Sequence, residues 1–313
     1  MPEPIVCVTG PTGCGKTALG VLLAERFNGE VVSADSMQIY RGMSIGSAAP
    51  TPGETRGIPH YMIAVAEPSE SWSVARYVEA AAPIVDDILS RGKRPFLVGG
   101  TGLWMEALLR QGGFAPGRSG GEVRRELEAE LRRDGIGPLL AQLREVDPAA
   151  AARIHPADEK RVLRALEVYR ETGRTITAHN LATRALPPRY RALWLGLRYS
   201  DRAEMKAALD RRVDRMMEAG LLEEVRALSG RVPRDATALQ AIGYKELLPV
   251  LDGEKTLQEG VEEVKLRTRQ YAKRQLTWFR RNPEVYWLER REGQDFSEVV
   301  DASTNFLRAN GVC

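Results

Sequence analysis

An apolar run at residues 4–9 enters Gly10-Pro11-Thr12-Gly13-Cys14-Gly15-Lys16-Thr17, and residues 17–27 then place Leu19, Leu22, Leu23 and Phe27 on one helical face. The chain therefore leaves a strand through a glycine turn straight into a helix. Residues 30–34 read as a second strand ending at Asp35. Residues 94–98 read as a third, ending in Gly99-Gly100-Thr101-Gly102. Strands that alternate with helices build a parallel sheet. Such sheets bind ligands beyond the carboxyl ends of their strands, so residues 10–17, Asp35 and Thr101 are expected in one crevice.

Residues 72–89 form the helix between the second and third strands, with Ala75, Val78, Ala82, Val85 and Leu89 on one face and Pro83 kinking or splitting it. Glycine and proline accumulate over residues 112–121. Residues 123–169 then read as helical, broken near residues 135–138, at Asp147-Pro148 and at His155-Pro156. Pro187-Pro188 closes this stretch and residues 192–197 return as a strand, which makes the middle of the chain a helical insertion in an α/β core. The three cysteines, Cys7, Cys14 and Cys313, have no metal-ligand spacing and no disulfide framework, as expected in a reducing compartment. No stretch has the eighteen or so apolar residues of a membrane span, and a cytoplasmic protein is expected. Net charge is +3, but residues 1–100 carry 8 basic against 10 acidic side chains, leaving 37 against 32 downstream. That balance permits a polyanionic partner without requiring one.

Residues 10–17 suit a diphosphate: backbone N–H groups at a helix N-terminus surround the oxygens, Lys16 neutralises them and the Thr17 hydroxyl helps hold Mg²⁺. Two chemistries use such a loop. In a nucleotide or small-molecule kinase the terminal phosphoryl group moves, and Asp35 binds metal or orients the acceptor. In the other, diphosphate itself departs and the carbon chain attached to it moves. Ser36, Met37 and Gln38 beside Asp35 suit a heterocyclic base, whose exocyclic amine could give Asp35 its proton. Thr101, between glycines, can hydrogen-bond a bridging diphosphate oxygen. Residues 265–281 hold Lys265, Arg267, Arg269, Lys273, Arg274, Arg280 and Arg281 with no acidic residue, interleaved with Tyr271, Trp278 and Phe279. We expect the aromatics in the core and the cations facing RNA. Lys160, Arg161 and Arg164 form a second basic cluster.

Together these stretches closely resemble the tRNA dimethylallyltransferase family over nearly the whole chain. The resemblance rests on residues 10–17, 35–43 and 99–103, on residues 147–148 through 154–156, and on residues 164–169, 172–173, 243–244 and 271–279. It implies a P-loop NTPase-like parallel sheet flanked by helices, residues 1–114 and 191–313, with an inserted all-helical tRNA-binding domain, residues 115–190. It also implies transfer of a dimethylallyl group from dimethylallyl diphosphate to N6 of adenosine-37 in the tRNA anticodon stem-loop, by a monomer. Asp35 is then the general base, Thr101 contacts the bridging oxygen, and Lys16, Arg212 and the loop Gly10, Pro11, Thr12, Gly13, Cys14, Gly15, Lys16 and Thr17 hold the diphosphate. Contacts to tRNA are implied for Asp35, Ser36, Met37, Gln38, Thr101, Val123, Arg124, Glu159, Lys160, Arg161, Val162, Leu163, Gln240, Ala241, Ile242, Gly243, Tyr244, Lys245, Lys273 and Arg274. Ala208 stands where the family often has a second arginine, for which Lys206 or Arg211 is the expected substitute. Ala49 replaces a common lysine and Cys14 a common Ser or Ala. At a helix N-terminus beside Lys16 the Cys14 thiolate is expected to be favoured, so that alkylation inactivates and donor protects.

Overall fold

The computed structural model describes residues 3–110, 121–291 and 293–313. Six strands, β1 (Ile5–Thr9), β2 (Gly29–Ser33), β3 (His60–Tyr61), β4 (Arg94–Val98), β5 (Ala192–Tyr199) and β6 (Val285–Arg290), form one sheet in the order β3-β2-β4-β1-β5-β6, and every pairing is parallel. β1, β2 and β4 are buried along their whole length, which parallel strands covered on both faces require. Alternate residues serve opposite cores. Ile5 and Cys7 of β1 join Val32, Leu97, Tyr77 and Val85 on one side. Val6 and Val8 join Leu19, Leu23, Phe96 and Leu307 on the other.

Helix Val74–Ser90 runs through Pro83 without splitting. Pro83 faces solvent, where water can satisfy the carbonyl left without a helical partner, while Tyr77, Ala81, Ala82, Val85 and Ile88 are buried. Ala75, Val78 and Leu89 are thus only flanking positions. Tyr77 sets the buried face: its hydroxyl donates to the Ser33 carbonyl at 2.9 Å and its ring stacks 4.2 Å from that of Trp104. Strands β3 and β6 escape the sequence reading because one has two residues and the other, at the sheet edge, buries only Val285 and Leu288, three apart, without the alternation that marks a strand.

The chain divides into one unit of Met1–Leu109 with Tyr190–Cys313 and a second of Arg110–Arg189. The expected boundary at residues 114–115, and residues 112–120 of the glycine- and proline-rich stretch, lie outside the described residues. In the second unit, helices Glu122–Asp134, Ile136–Val146, Pro148–Arg153 and Glu159–Thr172 enclose Leu127, Leu139, Leu143, Val162 and Leu166. Asp147 explains one helix break: its buried carboxylate accepts from the Ala150 N–H at 3.0 Å, capping the helix that begins at Pro148, and from the Thr177 N–H at 3.0 Å. Among the described residues no helix is long and apolar enough to cross a membrane.

Glu30, on β2, is a buried carboxylate gripped by both Arg91 nitrogens at 2.7 Å, by Lys93 at 2.6 Å and by the Tyr61 hydroxyl at 2.9 Å. The Arg91 hydrogen bonds, helped by Lys93 and Tyr61, outweigh burial and hold its pKa at about 2. A depressed carboxylate stabilises the fold above its unfolded value of about 4.3, and the contribution fades as pH falls toward the folded value. Breaking a fully buried pair costs about 3–5 kcal/mol, discounted here because Arg91 and Lys93 are about one-third exposed. Urea titrations should show Glu30→Gln less stable than the parent by about 2 kcal/mol at pH 7, with the gap narrowing below pH 4. An equal gap at all pH values would contradict this.

Candidate active site

β1 ends at Thr9, and Gly10 turns the chain with φ +137° so tightly that a Cβ there would lie 2.1 Å from the Leu197 carbonyl oxygen. Glycine is required at that approach. Helix Lys16–Arg26 starts without a side-chain cap and without an acidic residue in its first turn, so its dipole and terminal N–H groups serve the cavity. Lys16 Nζ donates to the Pro11 carbonyl at 2.8 Å. Burial lowers its pKa, and the charge of Asp35 partly offsets this. The loop's outward carbonyls are held by Tyr199, whose hydroxyl donates to Gly13 at 3.4 Å, and by Arg290, which donates to Cys14 at 3.2 Å.

Two expectations for this loop need correction. The Thr12 N–H donates to Gln275 Oε1 at 2.8 Å and Pro11 has none, so the cradle is made by the later amides. Cys14 is fully buried among Leu19, Leu23, Leu195 and Leu197. Its thiol belongs to the core behind the loop, away from any alkylating reagent.

Beyond β2, Asp35 Oδ1 accepts from the Met37 N–H at 2.9 Å, while Oδ2 has no hydrogen bond among the described residues. Thr101 follows β4, and its N–H donates to the Ala34 carbonyl at 3.1 Å. Thr101 Oγ1 accepts from the Ser36 N–H at 3.1 Å and donates weakly to Ser36 Oγ at 3.4 Å. The two strand ends are thereby sewn together. Buried Gln275, on helix Leu257–Phe279, donates to the Gly100 carbonyl at 3.0 Å with the amide whose oxygen binds Thr12, and so joins the phosphate loop to the Thr101 turn. Gln38 accepts from Ser33 Oγ at 2.8 Å and donates to the Ala48 carbonyl at 3.1 Å, which makes it a brace for the following loop. Glu224 fixes the same loop through the Ile45 and Gly46 N–H groups, both at 2.9 Å, and accepts from the Tyr244 hydroxyl.

Two cavities meet at Thr12, Asp35, Ser47 and Arg212. The first, about 410 Å³, is lined by Lys16, Thr17, Arg211, Arg212, Arg215 and Arg290 against the carboxylates of Asp35 and Glu54. Five cations thus face two anions. The second, about 270 Å³, is lined by Met37, Met216, Ile242, Tyr244, Val264 and Tyr271 with Gln240, Ala241, Gly243 and Arg274 at its polar parts. Burial lowers the Arg212 pKa without removing its charge, and Asp35 opposes the shift. Burial, with the Asp35 charge, raises the Tyr271 phenol, which stays protonated and able to donate. Ala208 lies on the first wall with Arg211, while Lys206 does not.

The remaining tRNA candidates divide by exposure. Ser36 and Met37 lie beside Asp35, and Gln240, Lys245, Lys273 and Arg274 are exposed. Ala241 and Tyr244 are buried cavity wall. In the second unit Glu159, Lys160 and Arg161 are exposed at a helix start, whereas Val162 and Leu163 are core and have no side chain to offer RNA. The helical period turns them inward. Val123 packs on that core and Arg124 pairs with Glu128 at 2.7 Å. In the basic helix, Lys265, Arg267 and Arg269 pair with Asp214, Glu263 and Asp210. That leaves Lys273, Arg274, Arg280 and Arg281 without an ion pair among the described residues. Phe279 is core, Trp278 donates to Glu106 at 3.0 Å, and Tyr271 faces the second cavity. Gln275, Glu224, Tyr271 and Arg290 carry roles that no local pattern announces; Gln275 and Tyr271 stand inside a family-like stretch, which was the available signal.

A parallel sheet whose first strand turns through a glycine loop onto an uncapped helix, with a carboxylate at the next strand end, defines a P-loop-like enzyme fold. The family model described as IPP transferase matches residues 38–282, and that described as Isopentenyl transferase matches residues 4–65. The chain is 44% identical to a tRNA dimethylallyltransferase of Halalkalibacterium halodurans, covering 98% of this chain and 97% of the relative, and 44% identical to one of Symbiobacterium thermophilum, covering 100% and 98%. The solved tRNA isopentenylpyrophosphate transferase of Bacillus halodurans superposes with a TM-score of 0.74 at 42% identity, covering 98% of this chain and 96% of that one. A eukaryotic dimethylallyltransferase solved acting on tRNA gives 0.85 at 30% identity, covering 98% and 80%. The chain belongs to the tRNA dimethylallyltransferase family.

The burial of Cys14 has a direct readout. Iodoacetamide followed by peptide mass spectrometry should modify exposed Cys313 and leave Cys7 and Cys14 intact until the protein is unfolded, with or without inorganic diphosphate. Native-state labelling of Cys14 that diphosphate slows would restore the reactive-thiol reading.

Proposed function

We propose that this chain transfers the dimethylallyl group of dimethylallyl diphosphate to N6 of adenosine-37 in the tRNA anticodon stem-loop, releasing diphosphate. The observation that carries the reading is the position of Asp35, on the wall shared by a cationic cavity and a mainly apolar one. The cationic side suits a departing diphosphate. The apolar side, with the polar edges of Ser36 and Gln240, suits a base that has left its stack. As the N6 lone pair attacks C1, the C1–O bond breaks and its electrons pass to the bridging oxygen. The N6 proton goes to Asp35 Oδ2, which accepts no hydrogen bond among the described residues. Thr101 can exchange its weak bond to Ser36 for one to the bridging oxygen, and Lys16 can exchange the Pro11 carbonyl for phosphate. Fixed donors where charge develops lower the barrier.

Thr17 and Glu54 line the cationic cavity, hard oxygens that fit Mg²⁺ together with diphosphate oxygens. The ion would supply further neutralisation of the leaving group. Exposed Lys273 and Arg274, with Glu159, Lys160 and Arg161, are the groups we assign to tRNA. One chain supplies every group named, and we read the enzyme as a cytoplasmic monomer.

Labelled dimethylallyl diphosphate and bulk tRNA should give label in RNA without ATP; phosphoryl transfer from ATP to a small acceptor would indicate a kinase. Asp35→Ala should bind donor and tRNA as the parent does and lose about 10²–10⁴-fold in kcat. Turnover near the parent's would falsify the base assignment.

A further inference from the structure

Arg290 ends β6 at the carboxyl edge of the sheet, where the phosphate loop also opens. Its backbone is pinned by the Ser200 N–H, which donates to its carbonyl at 3.0 Å. Its guanidinium lies over two aromatic rings, 5.6 Å from the Tyr199 centroid and 5.4 Å from that of Phe296. These contacts fix the direction of a long side chain before any ligand arrives. Nη1 reaches the Cys14 carbonyl, and a Cβ on Gly15, the residue that opens the first helix, would fall 2.9 Å from the same nitrogen. The guanidinium therefore sits beside the amides that receive phosphate.

Arg198, on the neighbouring strand β5, is neutralised by Glu289 at 2.8 Å. Arg290 has no such partner among the described residues, and its one hydrogen bond uses one of five N–H donors. Pinning a loop carbonyl needs a single neutral donor. A charged fork without a counter-ion among the described residues, on the wall of an anion cradle, has a further use.

We propose that Arg290 is a leaving-group residue, donating to non-bridging oxygens of the diphosphate from the side of the loop held by β6. The assignment rests on the reading of the cavity as a diphosphate site, and with Arg211 and Arg215 it supplies positive charge on a wall where Ala208 supplies none. Because diphosphate carries more charge after the C1–O bond breaks than before, Arg290 contributes more to the transition state than to donor binding.

Calorimetric titration of inorganic diphosphate into the parent, Arg290→Lys and Arg290→Met tests this. Loss of a charge-assisted hydrogen bond should weaken binding by about tenfold to a hundredfold in Arg290→Met, with Arg290→Lys between it and the parent. The kcat of Arg290→Met should fall by more than its donor KM rises. Diphosphate affinity in Arg290→Met within about twofold of the parent overturns the assignment. If Arg290→Met fails to fold, phenylglyoxal mapping of the parent decides: diphosphate should protect Arg290 and spare exposed Arg280, and equal labelling of Arg290 with and without diphosphate overturns the assignment. A parent that binds no diphosphate overturns the functional reading as well; a parent that binds it while Arg290 proves indifferent overturns Arg290 alone.

Discussion

The buried amide of Gln275 joins the two halves of the site: its oxygen takes the Thr12 N–H and its nitrogen the Gly100 carbonyl. Both partners are backbone groups in glycine-rich turns, and both would be orphaned without it, at a cost of about 1–3 kcal/mol each. The consequence is geometric. The glycine loop after β1 and the turn that carries Thr101 are thereby tied through one side chain, and in the reaction we propose that tie keeps the Thr101 hydroxyl in register with a donor seated on the first helix. A Cβ on Gly100 would lie 2.1 Å from the Gln275 nitrogen and push that amide off its partners.

Around that tie the charges are arranged unevenly. Five cations are concentrated on one cavity wall against two carboxylates. In the reaction we propose, a cleft lined in this way focuses positive potential where the leaving group gathers negative charge. Asp35 stands at the edge of this field. One of its oxygens is fixed by the Met37 N–H and the other takes no hydrogen bond among the described residues, so the carboxylate is oriented without being consumed.

How much of this was legible in the sequence follows from range. The glycine loop, Asp35 and Thr101 could be placed together because each ends a short apolar strand, and parallel sheets gather such ends. Gln275, Tyr199 and Arg290 could not, since their roles depend on which strands lie beside β1 and on one rotamer of a distant helix. Cys14 misled because a helix N-terminus favours thiolate in general, whereas this side chain points behind the loop into Leu19 and Leu197. Val162 and Leu163 misled by lying within a polar stretch whose helical period turns them to the core. Pro83 does not split its helix because an exposed proline can sit in a helix that tertiary contacts hold from the opposite face.

The central claim is that diphosphate departs into the first cavity while Asp35 takes a proton from an incoming amine. A crystal structure with a sulfur-bridged, non-transferable donor analogue and an anticodon stem-loop tests it most directly. The account predicts both phosphates on the N-terminus of the first helix within reach of Lys16, and an Asp35 oxygen about 2.6–3.2 Å from the adenine N6. Phosphates bound elsewhere, or Asp35 turned away from the base to ligate metal, would contradict it.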